Sequence, residues 1–193
     1  MLPFDAPHRW PEGFDYRAEF ITAAEEATLA SLIADRVEFR TFAMRGVTAK
    51  RRVAFFGETY DEGATAAEMP GFLLPLRSRV AKWAGVDAAL FAMALINEYT
   101  PGAAIGWHRD APQYGIIGGV SLLSSCRMKL RPYVSPKDLA VLGSGRPPRK
   151  TTHEIELAPR SGYLITGLVR SGYEHSIPAA SALRYSITFR TRR

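Results

Sequence analysis

Apolar positions recur along this chain with two periods, and the period changes near residue 91. Ahead of that point Ala23, Ala27 and Ala30 with Leu29, Leu32 and Ile33 supply helix formers and one apolar stripe. Thr22 with Glu25 three residues on is the capping-box pattern that opens such a helix. Beyond the turn Pro70-Gly71, Leu76, Val80 and Trp83 fall at helical spacing, and Gly85 suits the end of a second helix. Residues 39–60 alternate weakly and read as strands and loops, and residues 1–20 show little periodicity. From residue 91 the period is two: Met93, Leu95, Asn97 and Tyr99 point one way, Ala94, Ile96 and Glu98 the other.

The alternation continues through short segments divided by turns. Pro101-Gly102 precedes a strand over Ala104–Asp110, and Ser124-Ser125 joins Ile116–Leu123 to Arg127–Leu130. His153, Ile155 and Leu157 alternate, and Tyr163–Leu168, Glu174–Ile177 and Arg184–Arg192 complete the strand set. The polar stretch Ser135–Arg149 reads as a long loop. Two helices followed by about eight short strands predict an α+β, mainly β chain: a double-sheet jelly roll (double-stranded β-helix, cupin-like) braced by the N-terminal helices. The second half offers no helices to cross between parallel strands, which disfavours a Rossmann or ferredoxin-like arrangement. One domain over residues 1–193 is expected, with the helices in 1–90 and the jelly roll in 91–193.

Composition narrows the setting. With 47% hydrophobic and 23% charged residues, the chain is globular in type. Cys126 is the only cysteine, which excludes an intramolecular disulfide, a cysteine-based zinc site and an iron–sulfur cluster. No apolar run approaches the ~18 residues of a membrane helix. The first twenty residues carry Asp5, Glu12, Asp15 and Glu19 among prolines, unlike a secretory signal, so a cytoplasmic protein with no membrane contact is expected. Twenty-five Lys and Arg against nineteen Asp and Glu give +6, compatible with a polyanionic partner or simply with a solvated basic surface.

Four histidines are present, His8, His108, His153 and His175. His108 and Asp110 lie two apart in an expected strand, which puts both side chains on one face, and His175 follows 65 residues after Asp110. Two imidazoles and one carboxylate can form the facial triad of non-haem iron(II) sites, which leaves three coordination positions open. Near the end, Arg184, Ser186, Thr188 and Arg190 alternate with Tyr185, Ile187 and Phe189. Inward-facing arginines are costly unless something anionic pairs with them. If that face looks to solvent instead, the arginines only solubilise an edge strand. Gly115-Ile116-Ile117-Gly118-Gly119 lacks the strand-then-helix setting of a dinucleotide site and is expected to be a strand with close backbone packing.

Asn97-x-Tyr99-x-x-Gly102, His108-x-Asp110, the distal His175, and Arg184-x-Ser186-x-x-x-Arg190, in this order, resemble the AlkB-like 2-oxoglutarate/iron(II) dioxygenases over roughly residues 48–192. The resemblance implies Fe(II) held by His108, Asp110 and His175, with 2-oxoglutarate and O2 as cosubstrates. It implies that Asn97 and Arg190 hold the 2-oxoglutarate carboxylate next to the metal, and that Tyr99 and Arg184 hold the distal one. The family pattern often has Asn where Ser186 stands. Its repair enzymes place a base-contacting acidic residue two positions after the metal-binding Asp, where this chain has Pro112.

The segment Arg51–Tyr60 resembles the family's nucleotide-recognition lid, with Arg52, Phe55 and Tyr60 as substrate-binding candidates; a core strand is the competing reading. Arg127, Lys129 and Arg131 form a basic stripe that would either track a phosphate backbone or face water. The expected function is therefore oxidative dealkylation of alkylated bases in DNA or RNA, as in nucleic-acid repair, by a monomer acting on single strands. The alternatives are an AlkB-like oxygenase of a protein or small metabolite, and a catalytically silent nucleic-acid-binding module.

Overall fold

The structure, a computed structural model, describes residues 10–44, 47–58, 67–135, 137 and 152–193. Tyr60 and nearly all of the loop expected over residues 135–149 lie outside the described residues. Eleven strands and three α-helices are described. The N-terminal half contributes β1 (Phe14–Arg17), α1 (Ala23–Arg36), β2 (Arg40–Met44), β3 (Val47–Gly57) and α2 (Leu74–Ala84). The rest runs β4 (Met93–Tyr99), β5 (Ile105–His108), β6 (Tyr114–Leu122), β7 (Cys126–Pro132), β8 (His153–Leu157), β9 (Gly162–Ile165), α3 (Gly167–Gly172), β10 (Tyr173–Ile177) and β11 (Arg184–Arg192). A seven-stranded sheet in the order β1-β9-β6-β11-β4-β3-β2 faces a four-stranded sheet in the order β5-β10-β7-β8. The paired strands are antiparallel, and the fold is a jelly roll with α1 and α2 on one side.

Strand parity divides the large sheet into two working faces. Ala54 and Phe56, Ala94 and Ile96, and Ile187 and Phe189 turn outward into one apolar cluster with Leu29 and Ile33 of α1 and Leu76 and Val80 of α2. Thr22 caps α1 with the reciprocal pair of hydrogen bonds to Glu25, and Gly85 ends α2 in the left-handed conformation at φ 70°. The intervening residues of the same strands turn inward toward the small sheet, whose Met128, Leu130, Ile155 and Leu157 meet Phe14, Ile117, Tyr163 and Ile165. The glycines of β6 make this packing possible. A Cβ on Gly118 would lie 2.2 Å from Val80 of α2, and one on Gly119 2.2 Å from the Tyr163 ring.

Three local expectations are corrected. β1 is a short edge strand beside β9, made from residues without visible periodicity because only four of them pair. The strand expected over Tyr163–Leu168 stops at Ile165, and Gly167 opens the six-residue α3; two flanking glycines and one turn and a half give no helical pattern to read. β5 ends at His108, so Asp110 sits in the loop that follows and not on the strand itself.

Candidate active site

The two histidines of the triad come from neighbouring strands. β10 pairs with β5 so that His175 stands directly opposite His108, with ring centroids 4.2 Å apart. Asp110 reaches the same spot from the loop after β5, and ligand atoms of all three residues lie within 4.8 Å of one another. That loop is pinned from two sides. Buried Arg170 of α3 donates from Nη2 to the carbonyls of Ala111 and Tyr114, at 2.6 and 2.8 Å. Arg190 of β11 donates from Nη2 and Nε to Asp110 Oδ1, at 2.8 and 3.2 Å. Asp110 Oδ2 is left on the side of His175, 3.6 Å from its Nε2.

The protonation states suit a divalent cation. Burial alone would raise the Asp110 carboxyl, but Arg190, His175 and His108 outweigh it and hold it below the ordinary carboxylate range. Burial, with His108 beside it, pushes His175 down to about 3 against the pull of Asp110, so its imidazole is neutral near pH 7. The Nδ1 atom of His108 lies 2.9 Å from the Gly106 carbonyl oxygen. A carbonyl can only accept, so Nδ1 carries a proton and Nε2 is the nitrogen left to bind a metal.

The triad opens on a cavity of about 390 Å³ between the sheets, within the range of small-molecule sites. The inward residues of β4 and β11 line it: Asn97, Tyr99, Ser186, Thr188 and Arg190. Arg184 continues the same face of β11 opposite Tyr99 and is fully buried. Its Nε donates to Ser121 Oγ at 3.0 Å, and its guanidinium carbon lies 5.1 Å from the Tyr99 ring centroid. Its Nη1 and Nη2 have no hydrogen-bond partner among the described residues. Two parallel, desolvated N–H edges are what a carboxylate would engage with paired charge-assisted bonds. The solvent-exposed alternative for this strand face is excluded, since Arg184, Ser186, Thr188 and Arg190 are all buried.

Sequence position misassigned some contacts. Arg52 turns away from the cavity: it pairs with Glu98 at 2.6 Å, and its guanidinium lies over Phe39 on the helix-covered side. The reason is parity, since Phe55 lines the cavity and a residue three away must point the other way. Arg51 is the inward arginine of that strand, missed because the motif was read without its face; the odd-numbered parity shared with Phe55 was the available signal. Arg190 donates to Asp110, Thr188 and Met93, which leaves one Nη2 hydrogen for the near-metal carboxylate contact that the resemblance implies. The basic stripe is largely matched across strands: Arg127 and Lys129 pair with Glu154, and Arg131 with Glu174.

Comparison with known proteins decides the family. The 2OG-Fe(II) oxygenase superfamily model matches residues 15–190. The chain belongs to that superfamily. It is accordingly an Fe(II)-dependent dioxygenase that uses 2-oxoglutarate and O2, and the residues described above fit that chemistry. Among solved structures, OsALKBH1 superposes with a TM-score of 0.67 at 13% identity, over 93% of this chain and 98% of that one. A prolyl-4-hydroxylase from Pseudomonas putida gives a TM-score of 0.61 at 14% identity, over 94% of this chain and 93% of that one. No curated protein sequence matches the chain. Among the described residues no helix is long and apolar enough to cross a membrane.

Proposed function

We propose that this dioxygenase oxidises alkylated bases in nucleic acid, with its substrate entering beside the triad as a single strand or an extruded nucleotide. His108 Nε2, Asp110 Oδ2 and His175 Nε2 would hold the iron. The loaded metal with 2-oxoglutarate and O2 supplies oxidation of a substrate C–H bond, while 2-oxoglutarate leaves as succinate and carbon dioxide. Arg184, with the Tyr99 hydroxyl nearby, receives the distal carboxylate on Nη1 and Nη2. Asn97 and Ser186 border the near carboxylate. Arg190 keeps Asp110 Oδ1 occupied, so that Oδ2 alone is presented to the metal. An N-methyl group hydroxylated here would break down to formaldehyde and the bare amine.

The composition of the cavity wall toward solvent carries the substrate reading. Phe55, Trp107 and Arg109 line the cavity, Arg131 stacks on Trp107 at 4.0 Å, and Arg109 stacks on Tyr133 at 3.7 Å. Aromatic faces suit an unstacked base and guanidinium groups suit phosphates. The motif order resembling AlkB-like enzymes and the +6 charge favour the same substrate. Pro112, in place of the acidic base-contacting residue, favours the second reading, an oxygenase of a protein or metabolite. Methylated DNA and RNA oligonucleotides incubated with Fe(II), 2-oxoglutarate and ascorbate should lose methyl groups by mass spectrometry, with stoichiometric succinate and formaldehyde. Succinate formation stimulated by peptides or metabolites and by no oligonucleotide would give the second reading its place.

A further inference from the structure

Arg51 opens the segment that resembles the family's nucleotide-recognition lid without being one of its substrate-binding candidates, and the fold carries it into the cavity. It is 7% exposed, and its Nη1 donates to Asn97 Oδ1 at 2.9 Å. The bond is built by register: β3 lies beside β4 with Val53 opposite Asn97, which sets Arg51 one inward position further along the same face. The Tyr99 hydroxyl lies within reach of the charges of both Arg184 and Arg51, and Arg51 also feels Asp110 and Arg190. Arg51 thus lines the same cavity as the triad.

A carboxamide has one accepting end and one donating end, and either can face a ligand. A guanidinium has donors only, so it can bind Asn97 only through Oδ1. Binding there turns Nδ2 and its two hydrogens away from Arg51. The flipped amide would set Nδ2 against Arg51, donor against donor, and is excluded by that contact.

We propose that Arg51 is a positioning residue for the cosubstrate: it fixes the flip of the Asn97 amide so that Nδ2 is presented to the carboxylate of 2-oxoglutarate. The inference rests on the assignment of Asn97 to the cosubstrate made above. Holding the amide in its working flip before the ligand arrives removes an ordering cost from binding. Arg51 acts through Asn97, so its removal matters only while Asn97 is present.

Calorimetric titration of 2-oxoglutarate into the Mn(II)-loaded protein tests this without turnover. The comparison uses the wild type, Arg51→Met, Asn97→Ala and the double variant, with Mn(II) affinity measured on each. Asn97→Ala should weaken 2-oxoglutarate about tenfold or more, as expected for a hydrogen bond to a charged group. Arg51→Met should lose most of the same factor, and the double variant should match Asn97→Ala within about threefold, the signature of coupled sites. Mn(II) affinity should stay within about twofold throughout, which a general loosening of the site would not allow. Arg51→Lys, which keeps one donor, should recover part of the loss, and it carries the same cycle should Arg51→Met fold poorly. Wild-type binding by Asn97→Ala would refute the parent assignment. Weakening by Asn97→Ala with none by the Arg51 variants, or losses that multiply in the double variant, would refute the role of Arg51 alone.

Discussion

Arg184→Met should make the ligand-free protein more stable and the cosubstrate-bound protein weaker. In the wild type the guanidinium is fully buried, with Nε on Ser121 Oγ and both Nη atoms unpartnered among the described residues. Each unsatisfied buried donor costs roughly 1–3 kcal/mol, and more when charged. The contact with Tyr99, about 0.5–2 kcal/mol, and the Ser121 hydrogen bond, about 1 kcal/mol, offset part of that. Methionine fills much of the same volume without a charge, so the net gain on substitution is about 1–3 kcal/mol. For a chain of this length each kcal/mol moves Tm by roughly 2–4 °C. A ligand at about 100 times its Kd adds roughly 2.7 kcal/mol to the wild type, and the variant should lose nearly all of that gain. Thermal unfolding of the Mn(II) protein, with and without 2-oxoglutarate, reads both effects together. A lower Tm for the ligand-free variant combined with an unchanged shift on adding 2-oxoglutarate would show that Arg184 is a structural cation and not a carboxylate fork.

Other outcomes follow from neighbouring parts of the structure. His108→Ala, Asp110→Ala and His175→Ala should each abolish iron binding by equilibrium dialysis while leaving the far-ultraviolet circular dichroism unchanged; retained stoichiometry in any one would remove that residue from the ligand set. Arg190→Met should impair metal affinity more than 2-oxoglutarate affinity, because its guanidinium grips Asp110; the reverse split would make the cosubstrate its main partner. His175 has its folded pKa depressed from 6.5 to about 3, so the unfolded chain binds the extra proton first. Its contribution to metal-free stability is full above about pH 6.5 and is lost as pH falls toward about 3, at roughly 1.4 kcal/mol per pH unit. Urea unfolding of His175→Ala should lack that part of the slope, and an identical slope would mean His175 titrates normally. Gly119→Ala should drive the Tyr163 ring into the cavity and cost about 1–3 kcal/mol, read by denaturant unfolding, with a stability unchanged from wild type contradicting the close approach.

The outward half of each strand was legible because apolar alternation reports burial directly. Ala94 and Ile96, and Ile187 and Phe189, occupy the helix-facing core that their spacing predicts. The polar half was legible only as a pattern needing an explanation, which the buried Arg184 and Arg190 supply. What failed was face assignment on β3. Arg52 and Phe55 were grouped by proximity in the sequence, although an odd separation puts them on opposite sides of a strand. Asp110 was placed correctly beside His108 for an incomplete reason: the strand ends first, and Arg190 and Arg170 hold the loop in position. Arg170 itself could not have been found, because the six-residue α3 that carries it is fixed by tertiary contacts and not by any helical signature. The basic stripe on β7 shows the limit of charge counting, since Glu154 and Glu174 on the neighbouring strands neutralise much of it.

The union of triad and arginine fork in one site is tested most directly by anaerobic titration of the Fe(II) protein with 2-oxoglutarate. The charge-transfer absorption of 2-oxoglutarate chelated to ferrous iron reports both partners at once. It should saturate at one equivalent of iron in the wild type, be absent in His175→Ala, and require at least tenfold more 2-oxoglutarate in Arg184→Met, as the loss of about 2–5 kcal/mol from a buried charge pair demands. No absorption in the iron-loaded wild type, or an undiminished signal in His175→Ala, would contradict the assignment of this cavity.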